Sequence, residues 1–284
     1  MKKIIALIDG SSYAQSVCDY ASWVAQQGEA SLVLLHVLGR RDGSADNADL
    51  SGSIGLGART ALLEELAEID GQKARLANKR GRAILEDAKA RVEQQGVTRV
   101  STTLRNGQLI ETMHEFEADA DLIVIGKRGE ASNFDMEHLG SNLERVVRST
   151  KKPVLVAARA YKPVAKMLIA FDGGKSAMRA VEHIATSRVF TGIDCLLLHV
   201  GSESSGYRKQ LGGAVATLQQ AGFQAEYRVV AGQADRVIAD TVESEQFDLL
   251  VMGAYGHSRI RNLIIGSTTT QMIGACKVPV MLFR

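Results

Sequence analysis

Aromatic residues are scarce in this 284-residue chain, at 5%, so any core has to be built mostly from Val, Ile, Leu and Ala; apolar residues, at 45%, supply enough material for one. Cysteine is scarcer still. Cys18, Cys195 and Cys276 are odd in number, far apart, and lack the spacing of a metal site or a disulfide framework, which points to a reduced, cytoplasmic setting. The charge excess is only +2, too small to argue for nucleic acid or an anionic membrane as partner. No apolar run approaches the roughly 18 residues that a membrane span needs. The opening Met1-Lys2-Lys3-Ile4-Ile5-Ala6-Leu7-Ile8 superficially resembles a secretory leader. Asp9 breaks the run early and no small-residue cleavage site follows, so it reads as a first strand.

What the chain does have is a sequence written twice. Ile4-Ile5-Ala6-Leu7-Ile8-Asp9-Gly10 returns as Met167-Leu168-Ile169-Ala170-Phe171-Asp172-Gly173, and Leu34-Leu35-His36-Val37 as Leu197-Leu198-His199-Val200, both offset by 163 (172 − 9; 199 − 36). Further on, Asp121-Leu122-Ile123-Val124-Ile125-Gly126 returns as Asp248-Leu249-Leu250-Val251-Met252-Gly253, Leu139-Gly140-Ser141 as Ile265-Gly266-Ser267, and Pro153-Val154 as Pro279-Val280. Blocks repeated in one order define a duplication, with domains over 1–159 and 163–284. The offset falls to 125 by Gly107 and Gly232 (232 − 107), so the first copy carries 38 extra residues, an insertion at about 40–80. Its first part, 40–57, is rich in Gly, Ser and Asp and reads as a mobile loop; 59–94 is charged with a helical period, either a solvated helix with one packed stripe or a surface for a partner.

Each copy alternates strands and helices. In the first, strands are expected at 3–8, 31–37, 99–104, 121–125 and 154–157. Helices are expected after Ser11 or Ser12 as cap, with Val17, Tyr20, Ala21 and Val24 inward, and at 108–117 and 141–149. Strands apolar throughout imply parallel sheets covered on both faces. The fold class is therefore α/β: two tandem doubly wound, Rossmann-like domains, each with a mostly parallel five-stranded sheet flanked by helices. Ligands of such sheets lie beyond the carboxyl ends of the strands, where Asp9/Asp172, Val37/Val200, Gly126/Gly253 and Gly140/Gly266 recur.

Gly253-Ala254-Tyr255-Gly256, nine further residues, and Gly266-Ser267 follow the apolar run 248–252, with Thr268 next in a helix. Strand, glycine turn, loop and helix start make up the layout of a phosphate site: glycines allow close backbone approach, and free N–H groups at a helix start favour an anion. The spacing is neither a Walker loop nor a GxGxxG.

These residues resemble the universal stress protein family in its tandem form. The resemblance rests on the Asp after strand one, the His-Val ending strand two and the Gly-x2-Gly-x9-Gly-Ser signature, and it covers both halves apart from the insertion. In the family's ATP-binding branch that signature takes the ribose and phosphates. The resemblance implies ATP, with Mg2+, held in the second half by Asp172, Val200, Gly253, Gly256, Gly266 and Ser267. Val200 would offer main-chain groups to adenine and Asp172 would face a bridging Mg2+, the ribose or the adenine amino group. His257, Arg259 and Arg261 lie in the loop where they could neutralise phosphate, or are simply solvated. The first half offers Asp9, Val37, Gly126, Gly129, Gly140 and Ser141, but ten residues separate Gly129 from Gly140 and include Glu130, Asp135 and Glu137, which argues for weaker binding.

No Ser-His-Asp or Cys-His arrangement and no catalytic carboxylate pair stands out, and the turns after the first strands lack the SGGxDS-like loop of adenylating enzymes. The expectation is a regulatory ATP-binding protein of the stress response, not an enzyme beyond slow ATP hydrolysis, with a structural or interaction module as the alternative. His36 and His199 are expected to be packed and hydrogen-bonded, not general bases. The short apolar strands after Pro153 and Pro279 would otherwise be sheet edges, so they are expected to pair within the chain as a pseudo-dimer, leaving room for further homo-oligomerisation.

Overall fold

Ten strands rich in Val, Ile and Leu form one continuous sheet in the computed structural model, which describes residues 1–39, 56–130, 140–202, 205–254 and 267–284, with side chains not described at 56–61, 205 and 267–268. The first half contributes β1 (Lys3–Leu7), α1 (Ala14–Gln27), β2 (Ser31–Leu38), α2 (Leu56–Gln94), β3 (Val100–Asn106), α3 (Leu109–Glu117), β4 (Leu122–Gly126), α4 (Ser141–Ser149) and β5 (Val154–Ala157). The second contributes β6 (Lys166–Ala170), α5 (Lys175–Thr186), β7 (Asp194–Val200), α6 (Ser205–Gln220), β8 (Ala225–Val230), α7 (Ala234–Ser244), β9 (Leu249–Gly253), α8 (Ser267–Ala275) and β10 (Val280–Phe283).

The strand order is β3-β2-β1-β4-β5-β10-β9-β6-β7-β8. Each half is thus a doubly wound unit whose order reverses between its first and fourth strands, where such sheets open a crevice at the carboxyl ends. Pairing is parallel throughout except at the centre, where β5 and β10 run antiparallel with Leu155 opposite Met281. Val156 faces Val280 and Val154 faces Leu282, so the register is symmetric about the Leu155–Met281 pair. The expected pairing of last strands is present, and neither is left as an edge.

Successive strand residues alternate between two buried layers. Ile4, Ala6 and Ile8 belong to one, with Val17 and Tyr20 of α1, Leu85 of α2, Ala177 of α5 and Leu211 of α6. Ile5 and Leu7 belong to the other, with Met113 of α3, Leu143 of α4, Ile238 of α7 and Met272 of α8. Burying one such aliphatic side chain is worth about 1.5–3 kcal/mol, which explains strands that are apolar on both faces. The joint between halves is held by Tyr20, whose hydroxyl donates to the Ala160 carbonyl at 3.3 Å and accepts from the Lys162 N–H at 3.4 Å. Its ring meets Tyr161 edge-on at 4.9 Å.

Two local expectations are corrected. Neither Ser11 nor Ser12 caps α1. The helix starts from Tyr13 with no side-chain cap, and the Ser11 hydroxyl instead accepts from the Tyr13 N–H at 3.2 Å in the preceding turn. The insertion helix begins at Leu56, inside the stretch expected as loop, and runs unbroken to Gln94; 40–55 lie outside the described residues. Among its described side chains the packed stripe is confined to the carboxyl end, where Leu85, Ala88 and Val92 are buried.

Candidate functional site

In the first half, a crevice of about 70 Å³ opens at the β1/β4 switch. It gathers Asp9, Val37, Gly126 and Gly129, with His36, Arg128 and Asn142 beside them. Gly140 and Ser141 stand next to this crevice at the start of α4, which has no side-chain cap; Gly140 is buried and Ser141 exposed. The first-turn N–H groups of such a helix have no partner within it and carry the positive end of its dipole.

Sequence alternation explains why Val37 and Val200 are the open positions of their strands. In β2 the N–H and C=O of odd-numbered residues face β1: the Ser31 N–H donates to Lys2 at 2.9 Å, and the Leu35 carbonyl accepts from the Ile8 N–H at 2.9 Å. Val37, two residues on, directs its main-chain groups to the same side, beyond the end of β1 at Leu7. The second half repeats this. The Leu198 carbonyl accepts from the Phe171 N–H at 2.9 Å, and Val200 follows it, past the end of β6 at Ala170. Each half so presents one donor and one acceptor of the main chain past the end of its first strand, fit for a planar edge.

The neighbouring histidines are structural. His36 Nδ1 donates to the Ile8 carbonyl at 2.7 Å and His199 Nδ1 to the Phe171 carbonyl at 2.9 Å, and both rings are buried. His199 also stacks on Tyr207 at 4.3 Å. They pin the end of strand one to strand two, as expected for packed histidines.

The two aspartates also hold turns. Asp9 accepts from the Ser11 N–H at 3.0 Å through Oδ1 and from the Glu130 N–H at 3.2 Å through Oδ2. Asp172 accepts from the Gly174 N–H at 2.8 Å through Oδ1 and is exposed. Asp9 is therefore bound to the turn after β4, and Glu130 on that turn is ion-paired with Arg80 of α2.

The glycines do different work from one another. A Cβ on Gly126 would stand 2.7 Å from Tyr13 Cβ, and one on Gly253 3.1 Å from Ser176 Cβ, so these glycines admit the first helix of each half against the end of the fourth strand. A Cβ on Gly140 would meet the main chain of 127–129 at 3.2–3.3 Å, and the Gly140 N–H donates to the Lys127 carbonyl at 3.2 Å. In the second half Gly256, His257, Arg259 and Gly266 lie outside the described residues, and Ser267 and Thr268 are described only as the start of α8. Thr269, which follows them, is buried against the end of β9.

Lys127 lies between two glycines of the signature, Gly126 and Gly129. Its ammonium is buried and donates to the Cys276 carbonyl of the other half. Burial pushes its pKa down to about 8. No local signal could have revealed this, because the partner is 149 residues away. Arg80 and Glu130 were missed as a pair for the same reason.

Two doubly wound units sharing one sheet, each with an acid after strand one, an open main-chain edge on strand two and a glycine at the end of strand four, define a duplicated α/β protein. The chain belongs to the universal stress protein family, whose sequence profile matches residues 1–158 and again 163–284. A universal stress protein of Synechocystis sp. is 36% identical over 287 residues, covering 100% of both chains. One of Bacillus subtilis is 30% identical over 156 residues, 54% of this chain and 97% of its own. The crystal structure of a universal stress protein from Archaeoglobus fulgidus superimposes with a TM-score of 0.74 at 20% identity, over 99% of this chain and 98% of that one, a likeness of fold.

Proposed function

We propose that the protein is a regulatory stress protein that binds ATP, foremost in its second half. The observation that carries this reading is the recurrence, in both halves, of an acid and an unpaired main-chain edge past the end of the first strand, which line a crevice in the first half, combined in the second half with the intact Gly253, Gly256, Gly266 and Ser267 spacing. The donor set suits the ligand. Val200 matches the hydrogen-bonding edge of adenine, Asp172 suits the ribose or a Mg2+ bridging to phosphate, and the start of α8 suits an anion. His257, Arg259 and Arg261 are the cations of that loop, and Thr268 adds a hydroxyl. ATP supplies the phosphoanhydride; the chain's residues bind and orient it. Nothing among the described residues forms a nucleophile–base pair, which favours retention over turnover, with slow hydrolysis at most.

The first site, Asp9, Val37, Gly126, Gly129, Gly140 and Ser141, is the weaker one. Asp9 already has both oxygens engaged, and its crevice is narrow. The three cysteines are buried and unpaired, consistent with a cytoplasmic location. No helix among the described residues is long and apolar enough to cross a membrane.

The reading is tested by calorimetric titration of ATP with Mg2+. Replacing Gly266 with Val, which puts a branched side chain where backbone must approach phosphate, is expected to weaken binding at least tenfold while leaving the melting curve of the nucleotide-free protein unchanged. Equal affinity in the variant and parent contradicts the assignment. The titration is also expected to give fewer than two tight sites per chain, and two indistinguishable sites would contradict the ranking of the halves.

A further inference from the structure

The amino-terminal part of α2 is unaccounted for by the crevices. From Leu62 to Arg80 no residue is buried, yet Leu63, Ile69 and Leu76 are 51%, 39% and 68% exposed, large apolar side chains on a helix that otherwise carries charge. Leu62, Leu66, Ile69, Lys73, Leu76 and Arg80 succeed one another at alternating spacings of four and three, the repeat of a coiled-coil seam. At about 100° per residue this seam lies roughly 110° around the helix from the Leu85, Ala88 and Val92 stripe that packs on the sheet. The seam therefore does not continue the packed stripe. Arg80, ion-paired with Glu130, marks where the helix rejoins its domain.

We propose that this segment pairs with the same segment of a second copy of the chain, antiparallel, about a two-fold axis level with Gly71. The argument is charge. Glu64, Glu65, Glu68 and Asp70 precede the axis, and Lys73, Arg75, Lys79 and Arg80 follow it, so the helix is acidic on one side and basic on the other. Turned end for end, it is its own complement, as an isologous contact requires. The heptad register agrees. An antiparallel pair centred on Gly71 sets Leu66 against Leu76 of the second copy, Ile69 against Lys73 and Leu62 against the stem of Arg80. The flanking positions then bring Glu65 to Lys79, Gln72 to Gln72 and Leu63 to Ala77. The two Asp70 carboxylates approach across the axis, each with Lys73 one turn along its own helix. A parallel pair would instead set Glu65 against Asp70, like against like, twice. The contact is only a few turns long, so the dimer is reversible and depends on protein concentration. It is separate from the β5–β10 contact within the chain and from nucleotide binding.

Sedimentation velocity of the full chain, from micromolar to several hundred micromolar, tests this. The parent is expected to pass from monomer to dimer, and Leu76→Glu to remain monomeric. Glu65→Lys and Lys79→Glu are each expected to weaken association about tenfold, since each turns two attractive pairs repulsive. The double variant Glu65→Lys/Lys79→Glu restores it, because the exchanged charges again meet their opposites. All these positions are exposed, so circular dichroism is expected to be unchanged. A parent that stays monomeric, a dimer indifferent to Leu76→Glu, or a double variant no better than the single ones would each overturn the proposal.

Discussion

Asp9 and Asp172 sit at equivalent positions and do unequal work. Asp9 is held by two main-chain N–H groups from different turns, whereas Asp172 has one such bond and stands exposed. If binding draws on this carboxylate, Asp172→Ala should weaken ATP binding more than Asp9→Ala, and Asp9→Ala should instead lower the melting temperature; calorimetry and thermal unfolding of both variants check this. Gly126 is fixed by packing. A Cβ 2.7 Å from Tyr13 Cβ cannot be accommodated without moving α1, so Gly126→Ala is expected to cost about 1–3 kcal/mol in urea unfolding. Lys127 gives a pH signature. Its folded-state pKa, about 8, lies below the ordinary 10.5, so the folded state is penalised for holding its charge at neutral pH. The penalty fades as the pH rises through the folded value and is gone near the unfolded one. Relative to Lys127→Met, the parent should therefore gain stability between pH 8 and 10.5, by up to about 3 kcal/mol. A stability difference flat over that range would show that the ammonium is solvated.

At the scale of elements, much of the fold was legible because burial on both faces leaves an unmistakable mark. Runs such as Ile4-Ile5-Ala6 and Leu249-Leu250-Val251 have no other use than a covered strand, and the helices at 141–149 and 109–117 carry a clear period. The start of α2 was not legible, because Gly57 weakens helix propensity just where the helix begins. The Ser11 turn was misread as a cap because a serine before a helix serves either way. Of the candidate site, Asp9, Val37, Gly126 and Gly129, singled out from the repeat, line one crevice of the first half. The roles of Gly126 and Gly253 against α1 and α5 were not found, since spacing alone cannot tell a glycine that admits a phosphate from one that admits a helix. The pairing of β5 with β10 predicts that a Leu155→Cys/Met281→Cys double variant forms a disulfide within one chain, seen as a monomeric band of altered mobility on a non-reducing gel. Bridging only between chains would contradict the shared sheet.

The whole molecule is a pseudo-two-fold pair built into one chain. The axis passes by Leu155 and Met281, and the two strand-order switches lie on either side of it. The two copies differ: the first has the 39-residue α2 where the second has the 16-residue α6, and an acidic spacer, and the second keeps the full glycine signature. Under the proposed function, such asymmetry predicts one strong and one weak nucleotide site. The account stands most directly on whether the chain holds nucleotide. Purified protein, denatured and with its supernatant resolved by ion exchange, is predicted to release an adenine nucleotide, and added ATP to bind with a stoichiometry near one tight site per chain, lost in Gly266→Val. Protein that releases no nucleotide and gives no heat with ATP and Mg2+ would contradict it.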